Sequence, residues 1–178
     1  MPEYTKRVIK KKICLLGDPA VGKTSLIRRY VMDKYDDEYL STLGTKVTKK
    51  EIEINDDFNF VQFQMTFMIW DVLGQKEFKR IHQAAFQGTK GALIVCDLSR
   101  GETITALDEW ATNLYEVAGK VPVIFLGNKV DLVENPDPTV IDSLTEKYSA
   151  HSYLTSAKTG ANVDTAFANL GEEITKFL

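Results

Sequence analysis

Eight residues near the start constrain this chain more than any others. Gly17-Asp18-Pro19-Ala20-Val21-Gly22-Lys23-Thr24 fits the pattern GxxxxGK[ST]. It follows the apolar run Ile13-Cys14-Leu15-Leu16 and precedes a helical pattern at Leu26, Ile27, Tyr30 and Val31. Strand, glycine loop and helix in that order form the setting in which this pattern cradles phosphates. Glycine lets backbone N–H groups approach a phosphate chain closely, and the helix N-terminus adds partial positive charge. Lys23 is expected to reach the terminal phosphates as a point charge, and Thr24 to offer its hydroxyl to Mg²⁺. Asp18, Pro19, Ala20, Val21, Gly22 and, on the helix, Ser25 complete the expected phosphate-side contacts.

A chain of 178 residues suits one domain with a full core, expected to span residues 1–178. Its composition, 44% hydrophobic and 26% charged, is that of a water-soluble globular protein, and a net charge of −3 gives no reason to expect nucleic-acid binding. Cys14 and Cys96 both sit in apolar runs and read as buried thiols in a reducing, cytoplasmic compartment, not as a disulfide framework. No apolar run is long enough to cross a bilayer, and no secretory signal opens the chain. Pro2 excludes N-myristoylation, and the sequence closes at Phe177-Leu178 without a cysteine. Membrane attachment is therefore expected only through a lipidated tail beyond these residues.

Apolar runs alternate with amphipathic stretches, which predicts an α/β domain in three layers. Ile13–Leu16, Leu93–Leu98 and Val121–Leu126 read as strands buried on both faces of a mostly parallel sheet. Val61, Phe63, Met65, Phe67 and Ile69 recur with period two. With Val47–Ile54 and the turn residues Asn55-Asp56-Asp57 they predict one antiparallel edge hairpin. Helical spacing appears at Ile104, Leu107, Ala111, Leu114 and Ala118, again at Val163, Phe167, Leu170, Ile174 and Phe177, and over Val140–Tyr148. Helices are expected on both sheet faces.

Further elements point to the same ligand. Phe67–Trp70 ends in Asp71-Val72-Leu73-Gly74-Gln75. A strand-end carboxylate beside a phosphate loop can hold Mg²⁺ through a water, because that ion dehydrates reluctantly. The Gly74 N–H can then approach the γ-phosphate, and Gln75 can orient an attacking water. The polar stretch from Tyr35 to Gly44 holds Thr42, the first candidate to complete the Mg²⁺ shell, with Thr45 as rival.

Val121–Leu126 leads into Gly127-Asn128-Lys129-Val130-Asp131. An aspartate carboxylate accepts two hydrogen bonds, and guanine offers the adjacent N1–H and exocyclic amine that adenine lacks. A site built on such a pair rejects the wrong base by about 10⁴-fold, since the carboxylate would be left unpaired. Lys129 can cover the base face while Asn128 ties loops together. In Thr155-Ser156-Ala157-Lys158-Thr159-Gly160, the Ala157 N–H can reach guanine O6, Lys158 can flank the ring, and Ser156 belongs to the same contact set. Tyr35 is either an edge-on contact for the base or an exposed loop aromatic.

With GDPAVGKT, STLG, DVLGQ, NKVD and SAK in this order, the chain resembles a small GTPase of the Ras superfamily over nearly its whole length. The resemblance implies a P-loop GTPase domain and a monomeric switch using GTP, GDP and Mg²⁺. Its loops, about Asp33–Thr45 and Gly74–Thr89, are ordered by GTP and released on hydrolysis. An exchange factor, an activating protein and effectors would meet those loops, in membrane traffic or related signalling at the cytosolic face of a membrane. Lys23, Gly74 and Gln75 would be the catalytic residues; Thr24, Thr42 and Asp71 would hold the metal. A GTP-dependent adaptor with negligible turnover is the alternative. Within the superfamily the chain is most similar to the Rab-like branch: Trp70, the Phe78 and Ile81 spacing, and Phe86 resemble that branch's second switch, with Val47 where Rabs carry an aromatic.

The departures are specific. DVLGQK replaces the usual DTAGQE, so Val72, Leu73 and Lys76 stand where threonine, alanine and glutamate are expected, and Lys76 puts a cation beside Gln75. Pro19 stands where an activating protein's arginine would enter. The Ile54–Phe67 segment, with Phe58, Phe60 and Phe63, reads either as a partner-binding hairpin or as longer buried strands. Lys6, Arg7, Lys10, Lys11 and Lys12 are expected to form a solvated chain end before the first strand. His82 and His151 have no histidine at ligand spacing, and Trp110 is expected to pack on its helix.

Overall fold

The computed structural model describes residues 3–35 and 45–178. Its strands are β1 (Thr5–Leu16), β2 (Lys46–Asp56), β3 (Val61–Asp71), β4 (Gly91–Asp97), β5 (Val123–Asn128) and β6 (His151–Leu154). Its helices are α1 (Lys23–Met32), α2 (Lys79–Phe86), the single turn α3 (Gly101–Thr105), α4 (Leu107–Ala118), α5 (Asp142–Tyr148) and α6 (Val163–Thr175). The strands form one sheet in the order β2-β3-β1-β4-β5-β6. Only the β2–β3 pair within it is antiparallel, which matches the predicted edge hairpin on a parallel sheet.

Two cores sit on the two faces, and the period of the strand divides its residues between them. On one face Ile13, Leu15, Met65, Phe67 and Leu93 pack with Leu26 and Tyr30 of α1 and Phe167 and Leu170 of α6. On the other, Cys14, Leu16, Ile94 and Cys96 pack with Phe86, Leu107, Trp110 and Leu114. Every residue of β4 is buried, which is why its sequence shows no polar alternation. Tyr30 and Phe167 stack with centroids 3.8 Å apart and pin α1 to α6. Both cysteines are buried free thiols, and burial pushes Cys14 up to about 11 and Cys96 up to about 12.

Several details add to or differ from the sequence reading. The basic cluster is solvated at Lys6, Arg7 and Lys10 but does not precede the first strand: Lys6 through Lys12 belong to β1, paired in parallel with β3 from Thr5↔Val61 onward. Lys6, Val8 and Lys10 of β1 and Gln64 of β3 are exposed there, so lysines are tolerated. Lys12 carries its ammonium 3.8 Å from the Trp70 ring centroid and donates to the Gln87 carbonyl at 2.8 Å. The helix through Ile104 and Leu107 is broken at Ala106 into α3 and α4. Phe177 lies past the end of α6 and is exposed, so it does not continue the apolar stripe. Of the residues that resemble the Rab-like second switch, Phe86 is core, while Phe78 and Ile81 are exposed. The hairpin divides likewise: Phe63 is buried, whereas Phe58 at the tip is 91% exposed.

The topology places the site. From β1 the sheet extends to β3 and β2 on one side and to β4, β5 and β6 on the other. Ligands of open α/β sheets bind beyond the carboxyl ends of the strands, where the order reverses in this way. The segments after β1, β3, β4, β5 and β6 meet at that end.

Candidate functional site

The loop between β1 and α1 is a backbone cradle that side chains would fill. Gly17 has φ +146°, and a Cβ there would lie 2.2 Å from the Val95 carbonyl oxygen; Gly22 has φ +104°, and a Cβ there would meet Asn128 Nδ2 at 2.3 Å. Gly74, on the segment after β3, sits so close that a Cβ would meet the Pro19 nitrogen at 2.6 Å. Helix α1 starts at Lys23 with no side-chain hydrogen bond from its N-cap, Gly22. Its first-turn amides therefore face the loop, as an anion site requires.

Lys23 is 6% exposed, and its ammonium donates to the Gly17 carbonyl at 2.8 Å and the Asp18 carbonyl at 2.9 Å. Burial pulls its pKa down to about 8, against the opposing pull of Asp71 and Asp18. The Thr24 hydroxyl donates to Asp71 Oδ2 at 2.6 Å, which brings two hard oxygen donors together beside the loop. Such a set fits Mg²⁺. Ser25 follows, half-buried, on α1. Gln75 is next to Gly74, and its Oε1 is buried without a hydrogen-bond partner among the described residues. Thr42 lies outside the described residues. Tyr35 is described, and its ring is exposed.

On the other side of the loop, Asn128 is fully buried and donates from Nδ2 to the Val21 carbonyl at 2.9 Å. It accepts at Oδ1 from the Thr155 hydroxyl at 3.0 Å. Lys129, held at φ +62°, donates to the Ala20 carbonyl at 2.8 Å. Asp131 accepts from the Ser156 hydroxyl at 2.6 Å. Ala157 is buried next to Ser156, and Lys158 follows it. The phosphate loop, the Asn128–Asp131 segment and the Thr155–Lys158 segment thus form one connected body.

Several members of this body were not singled out from the sequence. Asp97, at the end of β4, accepts from Lys129 Nζ at 2.9 Å, from Arg100 Nε at 3.2 Å and from the Ser99 hydroxyl at 2.6 Å. Burial alone would raise its pKa, but the hydrogen bonds from Ser99 and Lys129 outweigh that and hold it below the ordinary carboxylate value. Arg100 also donates to the Pro19 carbonyl at 2.8 Å. Arg29 of α1 donates to the carbonyls of Ala157 at 2.7 Å and Lys158 at 2.6 Å. Trp110 packs, as expected, but its indole also donates to Asp18 Oδ1 at 2.9 Å. Asp97 was findable: like Asp71 it is an acid closing an apolar strand. Arg29 and Arg100 sit in stretches where arginine is ordinary, so nothing local marks them. His82 is buried, and its Nε2 lies 2.7 Å from the Leu73 carbonyl oxygen; burial pulls its pKa down.

An α/β sheet with a phosphate loop at its switch point and a carboxylate-bearing loop tied to it defines a P-loop nucleotide-binding protein. The sequence profile of the Ras family matches residues 12–176. The GTP-binding protein yptV5 of Volvox carteri is 34% identical over 173 residues, which cover 92% of this chain and 81% of that protein. The Ras-related protein Rab-2B of Dictyostelium discoideum is 33% identical, covering 94% and 81%, and human Rab-22A is 30% identical, covering 92% and 82%. The chain belongs to the Ras family, on its Rab-like side, and is a small GTPase.

Proposed function

We propose that the chain is a single GTPase domain over residues 1–178 that works as a switch in membrane traffic, hydrolysing GTP slowly to GDP and phosphate. The observation that carries this is the direct tie between the phosphate loop and the NKVD segment, through Asn128 to Val21 and Lys129 to Ala20. That tie sets the distance between a base and its phosphates. Guanine pairs with Asp131 and with the Ala157 N–H, flanked by Lys129 and Lys158, with Tyr35 at its edge. The backbone N–H groups of Asp18 and of Ala20 through Ser25 face the phosphates, Pro19 having none to give, and Lys23 turns its ammonium from the Gly17 and Asp18 carbonyls to them. Charge developing on the phosphates is stabilised there without reorganising solvent. The Gly74 N–H faces the γ-phosphate, and Gln75 orients the water that attacks it. Thr24, Thr42 and Asp71 would hold Mg²⁺, which when bound would neutralise phosphate charge.

Regulators and effectors meet the segments 33–45 and 74–89, and the protein works at the cytosolic face of a membrane. No described helix is long and apolar enough to cross one. The Rab and Ypt relatives support this placing. Single-turnover phosphate release tests the catalytic reading. Gln75→Leu should keep GDP affinity within about twofold and slow release by about 10-fold or more, as expected for a group acting only in the transition state. Equal rates in the two proteins would refute the role of Gln75.

A further inference from the structure

Lys76 is the least expected residue of the DVLGQK segment, and the structure gives it two partners. Its ammonium lies 2.8 Å from Glu109 Oε2 on α4 and 3.9 Å from Asp18 Oδ1 on the phosphate loop. The Glu109 hydrogen bond raises its pKa, so the ammonium is charged at neutral pH. Asp18 is held in turn by the indole of Trp110, the neighbour of Glu109. Helix α4 therefore reaches the phosphate loop by two routes, one of which runs through Lys76.

Gln75 lies between fixed points. On one side the Leu73 carbonyl is bonded to His82, and Gly74 packs against the Pro19 nitrogen. On the other side stands Lys76. The Gln75 side-chain oxygen is buried and makes no hydrogen bond among the described residues, so no bond to that oxygen anchors it apart from the placing of its own backbone. We propose that Lys76 is a positioning residue: held between Glu109 and Asp18, it fixes the segment that carries Gln75 against the phosphate loop and so sets where Gln75 points. This rests on the reading of Gln75 as the water-orienting residue.

The test is single-turnover phosphate release from GTP-loaded protein, with GDP affinity and thermal midpoint measured alongside. Lys76→Glu sets a third carboxylate against Asp18 and Glu109. It should slow release about fivefold, the scale of a partly exposed ion pair, while leaving GDP affinity and the midpoint nearly unchanged. Lys76→Arg should retain the rate, and Glu109→Lys added to Lys76→Glu should recover most of it. In a Gln75→Leu background, Lys76→Glu should have no further effect. Amide hydrogen exchange at residues 74–77 should quicken in Lys76→Glu, a readout independent of turnover. The proposal is overturned by a wild-type rate in Lys76→Glu, by a full fivefold loss in the Gln75→Leu background, or by a fall in GDP affinity that matches the fall in rate. A wild-type protein that leaves GTP intact would overturn the reading of Gln75 itself.

Discussion

Residues in this site differ in how they announce themselves. The role proposed for Asp131 follows from its chemistry: two acceptors for two donors. Asp131→Ala should cut the preference for GDP over ADP by about 10²–10⁴, read by competition binding, because the discriminating carboxylate is gone. Gly22 is required by geometry. At φ +104°, with Asn128 Nδ2 at 2.3 Å from a would-be Cβ, Gly22→Ala should cost about 1–3 kcal/mol in urea unfolding and weaken the tie to Asn128. Asp97 carries a pH signature. Its folded pKa is depressed, so its stabilising contribution is present above the unfolded value of about 4 and is lost as pH falls through the folded value. Asp97→Asn should lower stability at neutral pH and flatten the loss of stability below about pH 4, measured as the urea midpoint against pH.

At the scale of elements, patterns with one dominant period were legible and those mixing two demands were not. Strand β3 alternates because one face meets α1 and α6 and the other meets water or Trp70's neighbours, so period two survives in its residues. The first half of β1 shows no such pattern, because its lysines lie on a polar sheet extension whose order comes from backbone pairing with β3. A reading based on hydrophobicity has nothing to detect there. Helix α6 was legible from Val163 to Ile174 and stopped short of Phe177, since a stripe continues in sequence after the helix itself has ended. The α1–α6 contact gives this scale its prediction. Phe167, fully buried against Tyr30, should cost about 3–5 kcal/mol when changed to alanine, seen as a lower urea midpoint with an unchanged slope.

At the scale of the molecule, the motifs were legible in order but not their joining. Lys23, Thr24, Asp71 and Asp131 were picked out because each type of side chain suits a part of a nucleotide, and Asn128 as a tie between loops. The struts Arg29, Arg100 and the Trp110–Asp18 bond contact backbone carbonyls or a side chain of the loop itself and leave no ligand-like trace in the sequence. Because those struts join five segments, occupancy of the site should stabilise the whole fold. Saturating GDP at about 100 times its Kd should add about 2.7 kcal/mol by mass action, read as a raised thermal midpoint. The most direct test of the account is the identity of the nucleotide the protein retains: chromatography of what is released on denaturing protein purified in Mg²⁺, followed by competition between guanine and adenine nucleotides for the emptied site. The account predicts GDP or GTP in the released material and a guanine preference of at least about 10³-fold. Released adenine nucleotide, or equal competition by the two bases, would contradict it.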